Sequence, residues 1–174
     1  MNHYRLLTVI TLLAFNVSAA VSPAPDRQDG NGPWPQLILR DVTLIDGTGS
    51  PAIGPVDIVI ENNLITKVQN VGAPGSSLRA KNRPLLIAGG KELDLSGPFV
   101  MPGIVDMHGH IGGEEQGVSA EYVYKLWLAH GITTVRDPGC GNGLDFCLSE
   151  RKRSAENKIA APRIFAYTFF GDGR

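Results

Sequence analysis

"FVMPGIVDMHGH", Phe99 to His110, is where the chain changes character. A tight turn through Pro102 and Gly103 leads into a short apolar run, and the run ends in two histidines separated by Gly109. Side chains at i and i+2 of a strand share a face. A strand carried through His110 therefore sets His108 and His110 side by side, with Asp106 one step deeper. Two neutral imidazoles at that spacing can bind one zinc-class ion. Gly109 lets the backbone lie close to such a site, and Asp106 is placed to support a ligand from behind or to stabilise the cation. The same letters also fit two polar residues that merely end a strand, so the surroundings have to decide.

Upstream, the pattern is all β. "LILRDVTLIDGTGS" (Leu37 to Ser50) alternates and ends at an Asp46-Gly47 turn. "VDIVIENNLITKV" (Val56 to Val68) is two β-runs around Asn62-Asn63, a pair that tolerates positive φ and so predicts a hairpin. Residues 69–90 read as a long loop with at most one edge strand, and "KELDLSG" (Lys91 to Gly97) as a further short strand. Together, 37–97 predict a small antiparallel β-domain. Downstream, "GIVDMHGH" starts a strand, and "SAEYVYKLWLAHG" has Ser119 as helix N-cap and Gly131 past its last turn. Ala120, Val123, Trp127 and His130 fall on one face of that helix, with Leu126 beside it. "ITTVRD" (Ile132 to Asp137) is a β-branched strand, "LDFCLSERKRSAENK" a second helix, and "PRIFAYTFF" (Pro162 to Phe170) a third strand. Strand, helix, strand, helix, strand implies parallel pairing. The histidines then lie at the C-terminal end of the first parallel strand, where such architectures place their ligands.

The 174 residues are 43% hydrophobic and 19% charged with a formal net charge of −1, as in a soluble globular protein with no field to attract nucleic acid. The basic run Arg151-Lys152-Arg153 is flanked by Glu150 and Glu156 and reads as a solvated helix face. "MNHYR", the apolar "LLTVITLLAFNV" and the small residues Ser18 and Ala20 form a secretory leader over 1–20, too short to span a bilayer comfortably. The expected location is the periplasm or the exterior, with no membrane span after cleavage and a mobile segment at 21–36. In an oxidising compartment Cys140 and Cys147 could pair; the alternative is two unpaired buried thiols. Two cysteines with no CxxC and no nearby histidine do not by themselves make a zinc site.

"FVMPGIVDMHGH" resembles the signature of the metal-dependent amidohydrolase superfamily. The preceding β-segments resemble that superfamily's N-terminal β-domain, and "AHGITTVRDPG" (Ala129 to Gly139) resembles its second barrel strand. The match runs over most of 37–170, with an imidazolonepropionase-like or Xaa-Pro dipeptidase-like flavour. The resemblance implies an α/β fold: a TIM-barrel hydrolase behind a small β-domain. It implies one or two divalent ions, zinc above all, with His108 and His110 as two metal ligands. The remaining ligands and the catalytic base are implied on later strands: a carboxylated Lys or a Glu, two more His, and an Asp. The implied substrate is a small molecule or small peptide, cleaved at a C–N bond, such as a cyclic amide.

The sequence departs from that pattern in extent. A barrel takes about 250 residues, and Pro98 to Arg174 is less than a third of that. No histidine follows His130, and Lys158 does not match the position of the family's bridging Lys. The expectation is thus the N-terminal part of an amidohydrolase (98–174 holding the first barrel units), inactive as an isolated piece. The alternative is a non-catalytic binding or structural module that kept the fold start. A mononucleotide-binding domain is disfavoured, because no GxGxxG or GxxxxGK[ST] follows any strand.

Overall fold

The computed structural model of the chain describes residues 22–27, 32–112 and 117–168. The leader expected over 1–20 lies outside the described residues. The first sheet is built from β1 (Gln36–Leu44), β2 (Ile53–Glu61), β3 (Leu64–Asn70), β4 (Lys91–Asp94) and β5 (Phe99–Val100). Its order is β3-β2-β1-β4, with β5 also paired to β1. The β2–β3 hairpin turns where Asn62-Asn63 predicts it, with φ of +50° and +65°, the left-handed pair that a two-residue hairpin needs. The expected antiparallel module is corrected in one respect. β1 pairs antiparallel with β2 but parallel with β4 and β5, because 71–90 crosses back over the sheet instead of adding an edge strand. Within that connection the only regular piece is a 3-10 turn, Ala80–Asn82.

That crossing is pinned by charge. Asp57 is fully buried on β2 and accepts from Arg40 Nη1 (2.8 Å), from Arg83 Nε and Nη2 (3.0 and 2.9 Å) and from the Asp41 amide (3.1 Å). On the other face Val42, Val56 and Ile58 make a small apolar core. β2 is therefore buried on both sides at 56–59, one side by packing and the other by an ion cluster.

The second sheet is parallel: β6 (Ile104–Asp106), β7 (Ile132–Asp137) and β8 (Arg163–Ala166), in that order. α1 (Ala120–Ala129) connects β6 to β7 and α2 (Leu144–Ala155) connects β7 to β8. Ser119 caps α1, its side chain accepting from the Tyr122 amide, and Gly131 follows with φ +76°. The buried helix face differs from the expected one. Ala120 and Tyr124 are buried and Trp127 packs beside them, whereas His130 is exposed and turns its Nδ1 to the Leu126 carbonyl. Tyr124 replaces Val123 at the centre because an i, i+4, i+7 stripe carries the larger ring into the core that also holds Val135 and Ile164.

The segment expected to be mobile is partly docked. Ala24 is 3% exposed and joins the core between the helices. Its amide donates to Glu150 Oε2 (3.3 Å), its carbonyl accepts from Arg153, and Arg153 also reaches Asp26 (3.0 Å). The Arg27 amide donates to the Lys158 carbonyl. Composition marks 21–36 as loop-forming, but a loop with a buried carboxylate to satisfy is held in place.

Candidate metal centre

β6 ends at Asp106, so His108 and His110 stand on the loop after the strand and not on the strand itself. They still face one another: the ring centroids are 5.2 Å apart and nearly perpendicular. What brings them together is a set of ties from the end of β7 and the loop after it. The Gly109 amide donates to the Arg136 carbonyl (3.0 Å), and Arg136 Nη1 donates to the Met107 carbonyl (3.3 Å). The Ile111 amide donates to Asp137 Oδ2 (3.1 Å), and Ile111 is fully buried. Asn142 Nδ2 donates to the carbonyls of Ile111 and Gly112. Arg136 is itself braced over the Tyr167 ring.

The carboxylate behind the imidazoles is not the expected one. Asp106 Oδ1 accepts the His108 backbone amide at 2.9 Å, which shapes the turn. Asp137 instead meets the His110 ring, Oδ1 to Nδ1 at 3.3 Å. Of the two ring nitrogens it is Nδ1 that faces the carboxylate, which leaves Nε2 as the nitrogen not engaged by it. Asp137 is 1% exposed and also takes the Gly139 and Cys140 amides, so its direction is fixed by the fold. From the sequence, Asp137 with Arg136 at the end of "ITTVRD" reads as fixing a loop or bordering the site. The available signal was its position at the C-terminal end of the strand beside β6.

Gly109 is required by space. A Cβ there meets Val135 Cγ2 at 2.5 Å and Trp127 Cζ2 at 2.7 Å, both packed in the core. Gly109→Ala is expected to cost about 1–3 kcal/mol by overpacking and to part the two imidazoles. A denaturation midpoint unchanged from the parent chain refutes this.

Cys140 and Cys147 do not form the disulfide considered from their spacing. Both are free, buried thiols, and burial pushes both up from the ordinary thiol pKa. They lie beside Asp137, and the ligand atoms of these three residues are within 4.8 Å of one another. Among the described residues, the histidine pair belongs to no such three-donor group. Lys158 stays at the surface, paired with Glu156 at 2.8 Å. A cleft of about 750 Å³ is lined by Thr133, Arg151, Ser154 and Arg163, near the starts of β7 and β8, and neither histidine lines it.

No protein-family model matches the chain. Among curated proteins, it is 44% identical over 73 residues to an adenine deaminase of Methanoculleus marisnigri, covering 38% of this chain and 14% of that protein. It is 32% identical over 76 residues to a dihydroorotase of a Thermoanaerobacter species, covering 44% and 14%. Among solved structures, molinate hydrolase superposes with a TM-score of 0.61 at 26% identity, over 79% of this chain and 31% of the other. A Xaa-Pro dipeptidase with methionine bound in its active site gives 0.56 at 27% identity, over 75% and 32%. Its relatives are amidohydrolases. The chain spans about a seventh of the curated amidohydrolases it matches and about a third of the solved ones. Among the described residues, no helix is long and apolar enough to cross a membrane.

Proposed function

We propose that this chain belongs to an exported, metal-dependent hydrolase of carbon–nitrogen bonds in small amide or peptide substrates. In this reading His108 and His110 hold a zinc-class ion at the C-terminal mouth of a (β/α)8 barrel that β6, β7 and β8 begin. The observation that carries it is the His110 Nδ1 to Asp137 Oδ1 contact at 3.3 Å. A buried carboxylate behind an imidazole is the arrangement that orients a ligand histidine and raises its basicity. The residues fit a divalent ion as half of a ligand set: two neighbouring imidazoles, one with its free nitrogen selected, on a loop laced to the adjacent strand. A bound ion of this class supplies an acidified water and polarises a carbonyl. The chain's own residues do the rest of what can be assigned. Asp137 sets the tautomer of His110. Asp106 holds the turn that presents His108, and Arg136 ties the loop to β7.

Zinc titration followed on the imidazole ¹⁵N signals tests the reading. His108 and His110 are expected to shift together and to saturate together. Asp137→Asn should weaken that binding about 10–100-fold, the usual cost of losing a carboxylate behind a ligand histidine. Histidine signals that ignore zinc, or that titrate independently, would sink the proposal. Hydrolysis of cyclic amides, N-acyl amino acids and Xaa-Pro dipeptides by the full-length gene product then tests the reaction class. Tight metal binding without turnover points to the non-catalytic module.

A further inference from the structure

Asp137, Cys140 and Cys147 make a second group of donors beneath the histidine loop. All three are buried, at 1%, 5% and 0% exposure, and nothing in the proposed hydrolysis uses the two sulfurs. We propose that these three side chains form a separate, buried site for a zinc-class cation, joined to the histidine pair only through the contact of Asp137 with His110.

The donor chemistry suits it: two sulfurs and one carboxylate oxygen are ligands that zinc and its heavier congeners accept. The separations are close to what is needed. Asp137 Oδ2 and Cys147 Sγ are 4.0 Å apart, and the widest pair is within 4.8 Å. Zinc–sulfur and zinc–oxygen bonds of about 2.3 and 2.0–2.2 Å in a tetrahedron put neighbouring donors about 3.5–3.8 Å apart. Closure thus requires side-chain movement of about 1 Å, well within torsional adjustment.

The carboxylate is already held for the task. Oδ1 takes the Gly139 and Cys140 amides, while Oδ2 takes the Ile111 amide and keeps a lone pair toward Cys147. The sulfurs are held lightly: they lie against each other, Cys147 Sγ reaches Asp137 Oδ2 at 4.0 Å, and the Cys140 sulfur also meets the Tyr167 backbone amide. Binding deprotonates both thiols, the two protons leave to solvent, and no electron is transferred. The route in is the glycine-rich loop at 138–143. Gly141 and Gly143 are exposed there, with nothing within 4 Å of where a Cβ would stand. A water entering along it completes four-coordination.

The site is tested separately from the hydrolase reading by titrating Cd²⁺ into the reduced chain carrying both His108→Ala and His110→Ala. Cadmium shares zinc's filled d shell and reports thiolate ligation by charge-transfer absorption in the ultraviolet. One Cd²⁺ per chain with that absorption is expected. Its loss is expected on adding Cys140→Ser, whose parent residue sits at the more accessible end of the pair. In the otherwise unaltered chain, zinc should slow the reaction of both thiols with a disulfide reagent at least tenfold. Three results overturn the proposal: no thiolate absorption, absorption that survives Cys140→Ser, or thiol reaction rates that zinc does not change. Finding the sulfurs joined as a disulfide in the exported protein overturns it as well.

Discussion

Replacing Glu150 with alanine is expected to cost about 3–5 kcal/mol, the range for removing one partner of a buried ion pair. Glu150 lies just past the middle of α2 and its side chain is 0% exposed. It accepts from the Tyr124 hydroxyl (3.1 Å) and the Ala24 amide (3.3 Å), and it pairs with Arg153. The Tyr124 phenol is held protonated, since burial and the nearby carboxylate push it up, so it stays a donor. Without the carboxylate, a fully buried hydroxyl and a backbone amide lose their acceptor, and Arg153 keeps only Asp26 and the Ala24 carbonyl. Glu150→Gln keeps an acceptor of the same size and should lose less, about 1–3 kcal/mol. Urea unfolding followed on Trp127, which stacks on Tyr124 at 6.2 Å, reads both variants. In Glu150→Ala the Ala24 amide should also exchange with solvent faster than in the parent chain. Midpoints of both variants matching the parent would show that the cluster contributes nothing.

The β-domain carries the second large effect. Asp57→Ala leaves two guanidinium groups facing an uncharged pocket, and a loss near 3 kcal/mol is expected. That is the lower end of the range for a broken buried pair, because Arg40 and Arg83 are 14% and 25% exposed and can partly hydrate. The same residue sets a pH dependence. Burial alone would push the Asp57 carboxyl up, but hydrogen bonds from Arg83, Arg40 and the Asp41 amide outweigh it and hold the group below its ordinary range. The unfolded chain takes up this proton near the ordinary value of about 4. The contribution is therefore complete above that pH and drains away as pH falls toward the lower folded-state value. Stability of the parent chain should fall below about pH 4. Asp57→Asn should be less stable at neutral pH and flatter through that window. Equal slopes in parent and variant would refute the assignment.

Much of the local structure was legible in the letters. Asn62-Asn63 announces its hairpin because few residues accept two successive positive φ values. Ser119 and Gly131 bracket α1 because a cap needs a short acceptor and an exit needs a residue without Cβ. The β-branched run at 132–137 marks β7. The His108 and His110 spacing is also local, and their rings do meet. The expected helix face failed for a different reason. Val123 and Tyr124 are both plausible core residues by period, and only the shape of the core that also holds Val135 and Ile164 selects the ring.

The sequence alone determined the order of the helices and main strands, the turn chemistry and the nearness of the two imidazoles, because those depend on residues a few positions apart. Tertiary structure decided the rest. Asp137 reaches His110 across 27 positions, Arg83 reaches Asp57 across 26, and Ala24 reaches Glu150 across 126. No spacing rule links such pairs. The need to satisfy a buried carboxylate does, and it operates only once the chain has folded and water has been excluded.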